Sequence, residues 1–343
     1  MARVPTDRFD ARGLPRWRLG EHPWLADAPP VPPRARVIVD NDFAGDPDDL
    51  FQLVHHVLSP AVEIPLVVSS HLRRDAPGPA TTAADGLRVV EDLCARLGLD
   101  AADRLVAGAE EPLVDVRTPR ISAAVDAIVA EALRDDPRPL FYAAGGGLTD
   151  LASAYLRHPE IAHRLVVVWI GGFEHEPLPW LDASAPVTAE YNLSTDVAAA
   201  QVVFDAPDLE VWQVPRSTYR TCVMSDAEMR VRVRGAGALG RHLYDEVRAE
   251  MVKHEHLRPQ AEAYVLGDSP LVLLTALADF WEAGPSSCEH VVVPKPALRD
   301  DGRYAPRPDA APMRVYGRVD VRLMHEDLHA KLVLFERWRA GAE

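Results

Sequence analysis

The chain is poor in cysteine and has no long apolar run. Its three cysteines, Cys94, Cys222 and Cys288, are far apart in 343 residues, and none belongs to a CxxC pair. This number and spacing argue against a disulfide framework or a cysteine-rich zinc site and favour a reducing compartment. No stretch approaches the roughly 18 uninterrupted apolar residues of a membrane span, and residues 1–30 lack the apolar segment of a signal peptide. We therefore expect a cytoplasmic protein that does not contact the membrane.

Basic clusters are also lacking. Lysine and arginine together number 37 against 52 acidic residues, which gives a formal net charge of -15. An acidic surface repels a phosphate backbone, and no lysine or arginine cluster is interleaved with aromatic residues. Nucleic acid is therefore not expected as a partner. With 48% hydrophobic residues, the chain can bury a sizeable core.

The first 35 residues differ in composition from the rest of the chain. They are rich in proline and arginine, which predicts an irregular leader over residues 1–35. Trp17 and Trp24 are expected to attach this leader to the body of the protein. Residues 36–343 are interpreted as a single α/β domain.

Apolar β-type segments alternate with helical patterns along this domain. The strands are predicted at 37–41, 64–69, 104–107, 139–144, 165–170, 211–214 and 290–293, with helices at about 81–97, 121–133, 238–254 and up to 338. A hairpin is predicted across residues 313–323. The alternation predicts an α/β fold with a mainly parallel central sheet flanked by helices. Ligands bind such sheets at the carboxyl ends of the strands.

The most informative segment follows the first strand, where five carboxylates occur within ten positions. They are Asp40, Asp42, Asp46, Asp48 and Asp49. Asp46 is predicted as the N-cap of a helix with Pro47 as its first residue, so that the first turn holds the last two carboxylates. The first two have no such explanation. Five repelling carboxylates at one strand end need a positive partner, and a hard cation bound by oxygen atoms is the simplest one.

Three later segments also carry polar groups at expected strand ends. The glycine run 145–147 fits either a phosphate cradle or a close strand-to-helix turn. Glu190 and Asn192 are two apart on a segment predicted to be extended, so they would face one side and suit a polyhydroxyl ligand. Ser194 or Thr195 is predicted as the N-cap of the helix that follows. Asp268 precedes a second helix start.

Taken together, these motifs resemble the inosine-uridine-preferring nucleoside hydrolase family. The family carries a DxDxGxDD-type cluster after its first strand, a GGLTN-like turn, an ExN segment and a late aspartate before a proline. The matching residues occur here in the same order, namely Asp40, Asp42, Gly45, Asp48 and Asp49, then Gly146 to Asp150, then Glu190 and Asn192, then Asp268 and Pro270. The resemblance implies a single-domain, Rossmann-like nucleoside hydrolase architecture.

The resemblance also implies a reaction, a cofactor and a set of site residues. It implies Ca²⁺-dependent hydrolysis of the N-glycosidic bond of a ribonucleoside, or of a related ribosyl compound, to free base and ribose. Carried over by position, the metal ligands are Asp42, Asp49, Asp268, the Thr149 carbonyl and the supporting Asp40. Asp42 would also be the general base that activates the metal-bound water. Asp48, Glu190 and Asn192 would bind the sugar hydroxyls, and a homodimer or homotetramer is expected by analogy.

Three departures from the family pattern change what the resemblance implies. Two extra residues separate Asp42 from the later acid pair, so Asp46 competes with Asp48 for the sugar. Ser70 lies in the segment where the family commonly has a Gly-Asn pair. Gly267 replaces a histidine that many members have as the proposed acid for the leaving base. His71, His175 and Trp180 lie on loops expected near the pocket, and His71 and Trp180 are included as substrate-binding candidates.

Two other functions fit parts of the same sequence. A haloacid-dehalogenase-type phosphatase also has two aspartates after a strand, here Asp40 and Asp42, and a later acidic motif, here Asp268. None of the three lysines lies at a convincing strand-to-helix turn for that activity. A catalytically impaired, Ca²⁺-dependent ribose-binding relative is the non-enzyme alternative, because the usual leaving-group acid is missing.

Overall fold

The computed structural model describes residues 13–25, 32–75, 81–175, 189–254, 262–277 and 288–341. Its strands are β1 Trp17–Arg18, β2 Ala35–Asn41, β3 Val62–Ser69, β4 Leu99–Asp100, β5 Leu105–Ala107, β6 Leu140–Ala144, β7 Val166–Ile170, β8 Glu210–Val214, β9 Val223–Ser225, β10 Ala263–Val265, β11 Glu289–Pro294, β12 Ala297–Leu298, β13 Tyr304–Ala305 and β14 Pro312–Arg318.

The helices alternate with these strands. They are α1 Asp48–Val57, α2 Thr82–Leu97, α3 Ala123–Ala132, α4 Thr149–Arg157, α5 Tyr191–Thr195, α6 Val197–Asp205, α7 Arg216–Tyr219, α8 Asp226–Glu228, α9 Ala238–Lys253, α10 Pro270–Thr275 and α11 Val321–Arg339. No helix in these described ranges combines the length and apolar character needed to cross a bilayer.

Eight strands form one central sheet in the order β11-β14-β8-β7-β6-β2-β3-β5. All neighbouring pairs are parallel except the pair of β11 with β14, which is antiparallel at one edge. The predicted α/β class with a mainly parallel sheet is confirmed. Strand β2 lies between β3 and β6, so its carboxyl end is surrounded by the ends of its neighbours.

Helices cover both faces of this sheet, which explains why its inner strands are mainly apolar. One face packs against α1, α2, α9, α10 and α11. The other packs against α3, α4 and α6. All seven residues of β2 are buried, including Asp40 and Asn41. These polar side chains lie at the edge of the core where the chain leaves the sheet.

The two tryptophans of the N-terminal segment pack onto the body, as predicted. Trp17 and Trp24 are buried, and both rings make edge contacts with Phe335 of α11. The Trp17 indole also donates a hydrogen bond to the Leu97 carbonyl at 2.8 Å. The α11 helix therefore anchors this part of the leader.

Three local predictions are wrong. Helix α1 begins at Asp48, and its N-cap is Pro47 rather than Asp46, without a side-chain capping bond. Helix α6 is capped by Asp196 rather than Ser194 or Thr195, because the Asp196 carboxylate accepts from the Ala199 N–H.

The hairpin predicted across residues 313–323 is also absent from the described chain. Strand β14 is single, and it pairs with β11 and β8, which lie far away in the sequence. Asp320 then caps α11 by accepting from the Leu323 N–H at 2.8 Å. The capping aspartate converts the second half of the expected hairpin into the start of a helix.

Candidate active site

The polar residues predicted after β2 gather in one cavity at the carboxyl end of the sheet. The cavity has a volume of about 280 Å³, close to the lower limit of roughly 300 Å³ for ligand sites. Its walls include the carboxylates of Asp42, Asp46, Asp48, Asp49, Glu190 and Asp268. Residues from distant parts of the chain therefore meet where parallel α/β sheets bind ligands.

Asp48, Asp49 and Asp268 form the tightest group in this cavity. Each offers a carboxylate oxygen, and these oxygens lie within 4.8 Å of one another. Asp48 and Asp49 come from the first turn of α1, whereas Asp268 lies in the turn before α10. The Asp48 side chain also accepts from the Asp268 N–H at 3.3 Å.

The electrostatics of this group fit a bound cation. Burial, and then repulsion from Asp48 and Asp49, raises the pKa of Asp268 well above its ordinary value. Asp42 raises it further. Buried carboxylates that repel one another are stabilised by a cation, and oxygen donors of this kind suit a hard ion such as Ca²⁺. The residues present therefore fit a metal ion.

Asn41 holds two parts of the site together. Its Nδ2 donates to Oδ2 of Asp268 at 2.9 Å, and its Oδ1 accepts from the Gly145 N–H at 2.9 Å. No role was predicted for this residue. Its position between two aspartates at the carboxyl end of β2 was the available signal, because ligands bind at that edge of a parallel sheet.

The glycine run packs directly against the carboxylates. A Cβ atom on Gly145 would lie 2.4 Å from Oδ2 of Asp268, and one on Gly146 would lie 3.2 Å from Oδ1 of Asp42. The run therefore allows a close approach of the backbone to the site. This favours the strand-to-helix turn over the phosphate cradle.

Glu190 and Asn192 line the cavity but not on an extended segment, so that part of the prediction is wrong. Glu190 is the N-cap of α5 and accepts from the N–H groups of Gly172, Asn192 and Leu193. Tyr219 donates a further hydrogen bond to Oε1 of Glu190 at 2.9 Å. A capping carboxylate with these donors cannot turn freely, so its orientation in the cavity is fixed.

Asn192 is held as firmly as Glu190. Its Nδ2 donates to the carbonyls of Gly145 and Ile170, both at 2.8 Å. Both amide hydrogens are thereby used, so Oδ1 is the atom that can accept from a ligand hydroxyl.

Four predicted site residues lie outside the walls of this cavity. Asp40 is fully buried and accepts from the Tyr142 hydroxyl, and burial followed by repulsion from Asp150 raises its pKa well above the ordinary value. Ser70 is buried behind the glycine turn. Thr149 and His71 are buried and hydrogen-bonded to each other, Oγ1 to Nε2, at 2.9 Å.

The two remaining residues expected near the pocket are Trp180 and His175. Trp180 lies outside the described residues. His175 is described, and its Nε2 is 2.7 Å from Oε1 of Gln213, away from the acidic cavity.

The cavity is also lined by residues for which no role was predicted. Tyr191 is 39% exposed, and its ring lies under the Arg73 guanidinium at 5.1 Å. Glu250, Lys253 and His254 come from the end of α9. The available signal was the clustering of three ionisable residues at helical spacing at the end of an otherwise amphipathic helix.

Comparisons with known proteins give the family of the chain. The profile of the inosine-uridine preferring nucleoside hydrolases matches residues 37–322. The inosine-uridine preferring nucleoside hydrolase of Crithidia fasciculata is 35% identical over 92 residues, which is 26% of each chain. That alignment thus spans about a quarter of the relative.

Solved structures share the fold. The purine-preferring ribonucleoside hydrolase of Gardnerella vaginalis is 17% identical, with a TM-score of 0.67 over 88% of this chain and 99% of that chain. The inosine-uridine preferring nucleoside hydrolase of Bacillus anthracis is 16% identical, with a TM-score of 0.60 and the same coverage.

The fold gives the class of protein, because it is shared with nucleoside hydrolases of solved structure. Within that class the chain belongs to the family of inosine-uridine preferring nucleoside hydrolases. The reaction of this family is the hydrolysis of nucleosides to base and ribose.

Proposed function

We propose that this protein is a Ca²⁺-dependent hydrolase that cleaves the N-glycosidic bond of a ribonucleoside, or of a related ribosyl compound. The observation that carries the proposal is the group of Asp48, Asp49 and Asp268 in the acidic cavity of a chain from this family. The products are the free base and ribose. The proposed location is the cytoplasm, where the three free cysteines would stay reduced.

The ligand set proposed for Ca²⁺ consists of Asp42, Asp49, Asp268 and the carbonyl of Thr149, with Asp40 behind them. Buried carboxylates supply the hard oxygen donors that Ca²⁺ prefers. When bound, the ion lowers the pKa of water and binds the sugar hydroxyls. The raised pKa of Asp268 supports this set, because burial and then repulsion from Asp48 and Asp49 disfavour its charged form, which a bound cation would stabilise.

Asp42 is proposed as the general base. It takes a proton from the water that attacks C1′ of the sugar, while the C1′–N bond breaks. Positive charge develops on the sugar ring, and the carboxylates of the cavity stabilise it. Asp42 suits this role because it is nearly buried, yet lines the cavity.

Asp48, Glu190 and Asn192 are proposed to bind the sugar hydroxyls. With a deoxy sugar, one of these fixed acceptor atoms would have no hydroxyl group to accept from. This predicts strong discrimination against deoxy sugars. Asp46 is exposed at the rim and Asp48 lies beside Asp49, so Asp48 is the stronger candidate. Ser70 and His71 would act from behind the glycine turn.

The direct test is turnover on a panel of common and modified ribonucleosides with Ca²⁺, scored by release of free base and reducing sugar. We expect hydrolysis of at least one ribonucleoside and very weak hydrolysis of its 2′-deoxy analogue. Calorimetric binding of ribosides without any release would instead support the non-enzyme alternative. Phosphate release from sugar phosphates would support the phosphatase.

A further inference from the structure

The carboxylates of the cavity already have proposed roles as metal ligands, general base and sugar acceptors, and Gly267 offers no side chain that could protonate a leaving base. A Cβ atom on Gly267 would lie 3.2 Å from Oδ2 of Asp48 and 3.3 Å from the Tyr219 ring. A larger residue there would press on both neighbours. A proton donor for the base must therefore be another residue that lines the cavity.

The described residues that line the cavity include two basic side chains, Lys253 and His254. Both lie at the carboxyl end of α9, where a helix stabilises positive charge. Both also contact Glu250. Lys253 Nζ lies 2.9 Å from each Glu250 oxygen, and His254 Nδ1 lies 2.9 Å from Oε1.

This geometry fixes which nitrogen of His254 can act on a ligand. Nδ1 faces Oε1 of Glu250 and also lies 3.2 Å from the Glu250 carbonyl oxygen. Both neighbours are acceptors, so Nδ1 carries a hydrogen and donates it. Proton exchange with a ligand in the cavity then runs through Nε2. A carboxylate that orients an imidazole and stabilises its charged form is a common arrangement for acid-base catalysis.

The other proton-bearing groups of the cavity are poorer acids. The Tyr219 hydroxyl donates to Glu190, and burial followed by the charge of Glu190 raises the pKa of Tyr219. Burial, followed by the charge of Asp42, also raises the pKa of Tyr191. Histidine side chains ordinarily titrate near 6.5, whereas lysine side chains titrate near 10.4, and an efficient general acid titrates near the working pH.

We propose that His254 is the catalytic general acid that protonates the leaving base, and that Glu250 is its positioning residue. The proposal rests on the proposed function. As the C1′–N bond breaks, its electron pair moves to the base, and the proton on Nε2 of His254 passes to the base. The attacking water bonds to C1′ and gives a proton to Asp42. Solvent restores both side chains, so one water is consumed overall.

The test compares two ribosides with different leaving groups. One is the ribonucleoside that the panel shows to be hydrolysed best, and the other is 4-nitrophenyl β-D-ribofuranoside, whose nitrophenolate departs without protonation. His254→Gln should lower kcat/KM for the nucleoside by about 10²- to 10³-fold and leave the nitrophenyl riboside nearly unchanged.

The same helix offers a matched control. His242 also pairs with a glutamate at helical spacing, with Nδ1 at 3.7 Å from Oε1 of Glu246, but it does not line the cavity. His242→Gln should leave kcat/KM for both substrates unchanged. Lys253→Gln should lower kcat/KM for both substrates by similar, small factors.

The variant Glu250→Gln tests whether Glu250 positions His254 or only stabilises the fold. The alkaline fall in kcat/KM for the nucleoside should move to lower pH, because the carboxylate that stabilises the imidazolium is lost. Lys253 shares the helix end with Glu250. The other ionisable groups facing the cavity are Asp42, Asp46, Asp48, Asp49, Glu190, Tyr191, Tyr219 and Asp268.

Three outcomes would overturn the proposal while leaving the proposed function intact. In the first, His254→Gln lowers kcat/KM equally for both substrates, and in the second it lowers kcat/KM for neither. In the third, Lys253→Gln rather than His254→Gln selectively lowers kcat/KM for the nucleoside. If the wild-type protein cleaves neither riboside, the proposed function fails and takes the general acid with it.

Discussion

The two ends of helix α1 solve the same problem, the burial of ionisable groups, in opposite ways. The first turn carries Asp48 and Asp49, which lie beside a third carboxylate in the cavity. The last turn carries His55 and His56, both fully buried against neighbouring helices. One end concentrates negative charge, whereas the other end removes charge altogether.

The difference separates a site that needs a ligand from a site that is complete. Burial lowers the pKa of His55 to about 4, so this imidazole is neutral at pH 7. It is hydrogen-bonded through Nε2 to Oδ2 of Asp327 at 2.7 Å. The carboxylates of the first turn lie beside Asp268, whose pKa is raised by burial and by their charges. A cation is the partner that the acidic end lacks and the histidine end does not need.

The largest expected effect is on catalysis at the acidic end. Asp42→Ala removes both the proposed base and a proposed ligand, so kcat/KM should fall by about 10³-fold or more. Steady-state kinetics on the best ribonucleoside measure this. Asp46→Ala, which changes an exposed acid at the rim, should cost much less. Unchanged hydrolysis in Asp42→Ala would contradict the assigned roles.

His55, at the other end of α1, should contribute to the pH dependence of the free energy of unfolding. The folded-state pKa of His55 is below its unfolded value of 6.5, so the unfolded chain binds more protons between these two values. The free energy of unfolding should therefore fall as the pH drops from about 6.5 to about 4, by about 3 kcal/mol for this one residue. Urea denaturation across this range measures the fall.

His55→Gln provides the check on that fall. A neutral amide does not titrate, so the variant should lose the share of the pH dependence that His55 contributes. Asp327 does not confuse this window, because its pKa is lowered below 3.8 and its contribution is lost only in stronger acid. An unchanged pH dependence would show that His55 is not held neutral by burial.

The acidic end should respond to Ca²⁺. At about 100 times its dissociation constant, a ligand that binds only the folded state adds about 2.7 kcal/mol to the free energy of unfolding. Asp49→Asn should lose most of this increment, as measured by denaturation with Ca²⁺ and with chelator. In the presence of chelator, the Asp49→Asn protein should be at least as stable as the wild type, because one of the repelling charges has been removed. A variant that is markedly less stable in chelator would contradict the repulsion argument.

The smallest expected effect concerns the close approach of the glycine turn. Gly145→Ala places a methyl group 2.4 Å from the side chains of Asn41 and Asp268, and such overpacking costs about 1–3 kcal/mol. Gly317→Ala is the matched control, since nothing lies within 4 Å of its new methyl group. Equal stabilities of the two variants in thermal denaturation would show that the turn is looser than described.

Sequence patterns predict the parts of this site that are local. The strand before Asp40 and the acid pair that begins α1 could be predicted, because apolar alternation and helix-start signals span only a few residues. Asp268 could be associated with them only through the order of family motifs. Its contact with Asn41 joins residues 227 positions apart, and no local pattern encodes such a contact.

The wrong predictions have the same physical origin. Glu190 and Asn192 were expected to be extended, but the Glu190 carboxylate caps a short helix by accepting from nearby N–H groups. The residues at the end of α9 were predicted to be helical, without a role in the site. Their place in the cavity depends on how α9 packs across the sheet, which the periodicity of one helix cannot show.

The scarcity of lysine has a practical consequence for anyone who wishes to label this protein. The chain has three lysines, and Lys295 is buried with its amine bonded to the carbonyls of Ala206 and Leu209. The Lys331 side chain is 12% exposed, whereas that of Lys253 is 41% exposed. Amine-reactive dyes or resins should therefore attach, apart from the chain terminus, mainly at the mouth of the cavity. Immobilisation through lysine would block access to it, and a cysteine introduced elsewhere is the better attachment point.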